Sequence, residues 1–241
     1  MLNVHSIESL GTYDGPGIRL VVFVQGCGFK CLYCANPDTI SFKGGKETES
    51  EELVTLAKNQ RPFFGKLGGV TVSGGEPILQ AKGVLDLFKK LKEEDINTCI
   101  DTNGNAFNQD VKDMLEYTDL VLLDIKHIDP VKHKELTSRE NTTPLQFADY
   151  LNEKNIRTWL RYVLVPGYSD QEESLHELGK YFAGREHIER IEIQPYHKLG
   201  VHKYEHLDME YKLEGVPENS PEQIERAKQI FEQYFKEVIV N

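Results

Sequence analysis

The chain is 241 residues long, with 28 Lys+Arg against 39 Asp+Glu, a formal net charge of −11. Hydrophobic residues make up 39% and aromatics 10%, which is too apolar for a disordered chain, and the acidic balance argues against a nucleic-acid or anionic-membrane partner. The longest apolar runs, Leu20–Val24 and Leu120–Leu123, fall far short of the ~18–20 residues that span a bilayer, and the N-terminus shows no basic and apolar secretory signal. The expectation is a cytoplasmic globular protein.

In chain order, Val-, Ile- and Leu-rich segments predict strands at Arg19–Gln25, Gly69–Ser73, Asn97–Thr102, Leu120–Lys126, Thr158–Val165 and Arg190–Pro195. Amphipathic segments between them predict helices at Ser50–Gln60, Leu79–Glu93, Asp110–Tyr117, Pro130–Thr137 with Pro144–Lys154, and Gln171–Phe182. A last helix, Pro221–Lys236, opens with Ser220 as cap and Pro221 at the first helical position. Alternating strands and helices with continuous apolar strands imply an α/β fold, a mostly parallel sheet covered by helices. Six such units read as a partial (β/α)6 barrel. No linker, charge block or repeat marks a boundary, so residues 1–241 are expected to form a single domain.

Ligands of such folds gather at the carboxyl ends of the strands. Here those ends read Gln25-Gly-Cys27, Ser73-Gly-Gly-Glu76, Asp101-Thr-Asn-Gly104, Asp124-Ile-Lys126, Val165-Pro-Gly167 and Gln194-Pro-Tyr-His197. Each is polar, small or metal-binding, so together they describe one ligand-binding face.

Three of the four cysteines, Cys27, Cys31 and Cys34, fall within eight residues, a spacing expected by chance about once in a thousand such chains. Clustered thiols in a chain without secretory features point to metal rather than disulfides. Three thiolates suit three irons of a cubane, or three of the four positions on zinc. No fourth Cys or His follows Cys34 closely, so the set leaves a coordination position open. Tyr33 is placed to pack over a flat ligand, whereas Cys99, in an apolar strand, reads as a small buried hydrophobe.

Cys27-Gly-Phe-Lys-Cys31-Leu-Tyr-Cys34 matches the Cx3CxΦC signature of the radical S-adenosylmethionine (SAM) superfamily, and Gly74-Gly-Glu76 resembles its GGE motif. The segment Ser6–Arg19, containing Asp14-Gly-Pro-Gly17, resembles the glycyl-radical-enzyme activating enzymes, and similarity continues through Arg161–Gly167 and Pro195–Gly200 to the last helix. Several of those enzymes carry a cysteine-rich insertion after the cluster loop. This chain has none, which favours the type that acts on pyruvate formate-lyase.

The resemblance implies a radical SAM oxidoreductase. Cys27, Cys31 and Cys34 would hold a [4Fe–4S] cluster whose fourth iron binds SAM, and SAM would be cleaved to a 5′-deoxyadenosyl radical that takes hydrogen from a glycine of the partner. Tyr33, Ala35, Gly75 and Glu76, then Asp124, Ile125, Lys126 and His197, would contact SAM. Asp101, Thr102 and Asp124 resemble ligands of a monovalent cation, and Asp14, Gly15, Pro16, Gly17 and Arg161 the receiver of the partner's peptide loop. Ala35 stands where many relatives have His, so a side-chain role there is excluded. The implied partners are pyruvate formate-lyase and a flavodoxin or ferredoxin reductant, with the activase a monomer.

Blander roles compete residue by residue. Gly74-Gly75 and Asp14–Gly17 are also turn sequences, Asp101 and Asp124 could cap helices, and Lys126 could lie in solvent. As rival functions, a small-molecule radical SAM enzyme, or one acting on another glycyl-radical protein, would share the cysteine loop. A ferredoxin-type carrier would need four cysteines per cluster.

Overall fold

A computed structural model describes residues 1–241 and contains nine strands and eight helices. The strands are β1 Leu2–Gly11, β2 Arg19–Val24, β3 Lys46–Thr48, β4 Gly69–Gly74, β5 Asn97–Thr102, β6 Leu120–Asp124, β7 Thr158–Leu164, β8 Ile188–Pro195 and β9 Val238–Val240. The helices are α1 Ser50–Phe64, α2 Ala81–Glu93, α3 Gln109–Leu115, α4 Pro130–Thr137, α5 Thr142–Glu153, α6 Glu172–Phe182, α7 Val201–His206 and α8 Pro221–Phe231. None is long and apolar enough to cross a membrane. The fold is α/β with a mostly parallel, open sheet, as expected. All six predicted strands are present.

The chain divides into two compact units, one of residues 1–28 and 39–122, the other of residues 29–38 and 123–241. The division falls inside β6. In the first unit the strand order is β3-β1-β2-β4-β5-β6; β1 runs antiparallel to β2 and β3, while β2, β4 and β5 pair in parallel. In the second, β7, β8 and β9 follow the end of β6, and both β7–β8 and β8–β9 are parallel.

In the first unit, Leu20, Val21, Val22 and Val24 of β2 and Val70 and Val72 of β4 are fully buried, with apolar side chains on both faces of the strands. Val84, Leu87, Phe88 and Leu91 of α2 repeat at the helical spacing and are buried together. In the second unit, Phe147 and Leu151 of α5, Leu175, Leu178 and Phe182 of α6, and Ile191 and Ile193 of β8 supply the core.

Local signals set the best-defined ends. Asp129 accepts from the Val131 and Lys132 amides and caps α4, and Ser220 with Gln223 forms a capping box before Pro221 at the start of α8. Three expectations are corrected. β6 stops at Asp124, so Ile125 and Lys126 lie beyond the strand. Leu79 and Gln80 belong to a 3₁₀ turn, Pro77–Gln80, that precedes α2. α8 ends at Phe231, and the chain returns as β9 rather than as further helix.

Candidate functional site

The first unit places Cys27 just beyond the carboxyl end of β2. Gly26 there has φ of 98°, and its amide donates to the Thr39 carbonyl at 2.8 Å, while the Cys27 amide donates to Ile40 at 3.1 Å. The end of β4 packs against the same stretch. The Gly75 amide donates to the Val24 carbonyl and the Glu76 amide to the Gly26 carbonyl, both at 2.8 Å. A Cβ on Gly75 would stand 2.3 Å from the Gly26 oxygen, so the turn reading and the site reading of Gly74-Gly75 coincide. Only bare backbone approaches the cysteine segment this closely.

Glu76 is fully buried. Its carboxylate accepts from Thr102 Oγ1 at 2.5 Å, from the Asn103 amide at 2.8 Å and from the Ile78 amide at 3.2 Å. Burial pushes this carboxyl up to about 7, against the pull of those three donors. The result is a rigid turn after β5. From that turn the Asn103 side-chain amide reaches Cys27 Sγ, at 3.7 Å. Asp101 accepts from Ser73 Oγ at 2.8 Å.

Asp14, Gly15, Pro16 and Gly17 connect β1 to β2, before the amino end of β2 rather than after its carboxyl end. The segment folds back along the strands. Thr71 Oγ1, midway along β4, donates to the Asp14 carbonyl at 2.6 Å, and Gly15, with φ of 119°, leaves room beside Cys99 and Arg19. Cys99 is fully buried, as expected.

The second unit carries Cys31 and Cys34. The Lys30 and Leu32 amides donate to the Thr137 and Leu136 carbonyls at the end of α4, both at 2.9 Å. From α7, Tyr204 Oη donates to the Cys34 carbonyl at 3.0 Å, and Lys203 Nζ donates to Asn36 Oδ1 at 2.9 Å and pairs with Asp38 at 3.2 Å. Gly200 packs on Ala35 so closely that a Cβ on it would lie 2.6 Å from the Ala35 oxygen. No apolar periodicity announces α7, whose only buried residue is Tyr204.

Asp124 and Lys126 form an ion pair, Nζ to Oδ2 at 2.9 Å, with Lys126 Nζ 5.7 Å from the centre of the Tyr33 ring. Lys126 is buried, not solvated. Burial opposes its charge, yet Asp124 and Tyr33 hold the ammonium well above its ordinary pKa. Tyr33 Oη and Asp124 Oδ1 are both buried without a hydrogen-bond partner. Ile125 is buried and its amide donates to the Arg161 carbonyl at 3.2 Å. The Arg161 side chain is itself buried and pairs with Glu192 at 3.0 Å. His197 lies exposed after β8, accepting from the Leu199 amide at Nδ1, at 3.4 Å.

Within each unit, then, Cys27 meets Glu76, Thr102 and Asn103 through one network, and Tyr33 meets Asp124 and Lys126. No disulfide joins any of the cysteines. No three His, Cys, Asp or Glu side chains converge as ligands of a single ion would. A cubane asks for one thiolate on each iron, so its cysteines need not converge. A buried cation–anion pair with an oxygen left over, under an aromatic ring, suits a ligand that carries both charges and a flat ring.

The radical SAM superfamily matches residues 21–179. Pyruvate formate-lyase 1-activating enzyme of Escherichia coli strain K12 is 47% identical over 239 residues, covering 98% of this chain and 97% of the relative. Pyruvate formate-lyase-activating enzyme of Staphylococcus epidermidis is 45% identical over 93% of both chains. Among solved structures, a domain of pyruvate-formate lyase-activating enzyme from Bacteroides vulgatus superposes with a TM-score of 0.61 at 23% identity, covering 72% of this chain and 99% of that one. Streptococcus suis SuiB bound to precursor peptide SuiA gives 0.69 at 18% identity over 98% of this chain and 50% of that one, a likeness of fold alone. The cysteine loop, the strand-end network and near-full-length identity agree: the chain belongs to the radical SAM superfamily and, within it, to the family of pyruvate formate-lyase-activating enzymes.

Proposed function

We propose that this chain activates pyruvate formate-lyase by installing a radical on one of its glycines. The observation that carries the reading is the pairing of buried Lys126 with half-buried Asp124 beside the Tyr33 ring, with one carboxylate oxygen left for a ligand. Membership supplies the cofactors, a [4Fe–4S] cluster and SAM. When bound, the cluster supplies the electron that cleaves SAM to the 5′-deoxyadenosyl radical, which takes the glycine hydrogen.

The chain's own residues divide the work. Cys27, Cys31 and Cys34 hold the cluster. Lys126 and Asp124 receive the charged methionine end of SAM, Tyr33 and Ile125 line its apolar side, and Ala35 contributes backbone only. His197, exposed after β8, contacts SAM from there. Gly75 admits the Gly26 carbonyl, and Glu76, with both oxygens engaged, acts by fixing Thr102 and Asn103. Thr102 Oγ1 donates to Glu76 and accepts from the Gly104 amide, which leaves one lone pair for a monovalent cation together with Asp101 and Asp124. Asp14–Gly17 and Arg161, the latter held by Glu192, receive the partner's loop. Residues 1–241 act as a single radical SAM domain, a reading supported by a family match that crosses the division between the two units. We place the protein in the cytoplasm as a monomer, reduced by flavodoxin or ferredoxin.

Reconstitution with iron and sulfide tests the assignment of the cysteines. Wild type and Cys99→Ala are expected to hold iron and cleave SAM, and Cys31→Ala to do neither. Cys99→Ala loses only core packing, about 1 kcal/mol. A Cys99→Ala protein unable to hold iron would overturn it.

A further inference from the structure

We propose that the side-chain amide of Asn103 is a positioning donor to Cys27 that sets the reduction potential of the cluster. The inference rests on the reading that Cys27 binds the cluster. Asn103 Nδ2 stands 3.7 Å from Cys27 Sγ, a distance proper to an N–H donor on sulfur. The orientation of the amide is fixed independently, because its Oδ1 accepts from the Asn105 amide at 3.2 Å, leaving the nitrogen to face the thiol. The backbone is fixed as well. The Asn103 amide donates to Glu76 Oε2 at 2.8 Å, and the adjacent Thr102 hydroxyl donates to Glu76 Oε1 at 2.5 Å. Asn103 and Glu76 are both buried, so water does not compete for the bonds that hold the turn.

The chemistry follows from the donor. A thiolate that accepts a hydrogen bond gives less electron density to its iron, so the reduced state of the cluster becomes easier to reach. A donor held in place by the protein makes that effect stronger than a mobile one in water. The buried Glu76, whose oxygens are already committed to protein donors, thereby acquires a purpose: it aims the turn that aims Asn103.

The test is the midpoint potential of the cluster in reconstituted wild type, Asn103→Ala and Asn103→Asp, with iron and sulfide content measured alongside. Asn103→Ala should keep the cluster and shift its potential to more negative values. Asn103→Asp, which adds a carboxylate in place of the donor, should shift it further in the same direction. Equal potentials in cluster-bearing variants, or a shift to more positive values, would overturn the inference. Wild type that holds no cluster would instead overturn the reading of Cys27. If the variants fail to hold a cluster, the wild type decides. With ¹⁵N in the asparagine side chains, electron–nuclear double resonance of the reduced protein should show a ¹⁵N coupling that persists in Asn105→Ala, and its absence counts against the proposal.

Discussion

Arg19→Met is expected to destabilise the protein by about 3–5 kcal/mol, the summed cost of several buried acceptors that lose their donor. Arg19 is the first residue of β2 and is fully buried. Its Nε donates to Thr71 Oγ1 at 2.9 Å, Nη1 to Asn97 Oδ1 at 2.8 Å and to the Leu67 carbonyl at 3.2 Å, and Nη2 to the Val70 carbonyl at 2.7 Å. Burial lowers the guanidinium's pKa, so removing the charge returns part of the cost. Methionine fills the volume but leaves these acceptors without donors, at roughly 1–3 kcal/mol for each one that stays dry. The acceptors outweigh the charge. Because Thr71 in turn donates to the Asp14 carbonyl, the same change loosens the Asp14–Gly17 segment. Urea unfolding should show a lower midpoint at unchanged slope, and hydrogen exchange should be faster around residue 15. A loss below about 1 kcal/mol would mean that the fork is dispensable.

The second large effect is in pH. His127 is fully buried with Nδ1 accepting from the Asp129 amide, and His187 is buried as well; desolvation lowers both to about 4. A lowered folded-state pKa means that stability is present above the unfolded value near 6.5 and is lost as pH falls toward 4, because only the unfolded chain takes the proton. From pH 7 to 5 the two histidines together cost roughly 4 kcal/mol. Glu76 works in the opposite sense. Its carboxyl is raised to about 7, so the folded chain binds a proton before the unfolded one and regains roughly 2 kcal/mol over the same range. These three groups together should therefore cost about 1–2 kcal/mol between pH 7 and 5, and about 4 in Glu76→Gln, with the buried His133, also lowered by desolvation, adding to the loss in both. His127→Gln should lose less than wild type over that interval, whatever its stability at pH 7. Identical pH slopes in wild type and both variants would refute this assignment of the titrating groups.

Much of the fold was legible because its strands are buried on both faces and read as continuous apolar runs. β2, β4, β5 and β7 begin where the runs begin, and Ser220 with Pro221 announced the last helix. β1 escaped because half of its residues are exposed and Ser6, Glu8 and Ser9 break up its apolar run, and its pairing with β2 is made by backbone. β9 is three residues long, too short to carry a pattern. The cysteines, Glu76, Asp124 and Lys126 were legible as residues at or just after strand ends, but the pairing of the last two was not. β6 ends at Asp124, so it is the ion pair, not alternation along a strand, that brings Lys126 back to it. The roles of Arg19, Asn103 and Tyr204 were illegible for a common physical reason. Each acts through a partner distant in sequence, Thr71, Cys27 or the Cys34 carbonyl, and no local spacing encodes such a contact.

A protein glycine is where the proposed chemistry of this chain must leave its radical. Electron paramagnetic resonance of the anaerobically reduced, reconstituted protein mixed with SAM and pyruvate formate-lyase tests it most directly. A glycyl radical signal, split by the α-hydrogen, is expected with wild type and absent with Cys31→Ala. SAM cleavage by wild type without any glycyl radical on the partner would contradict it and assign the chemistry to a different substrate.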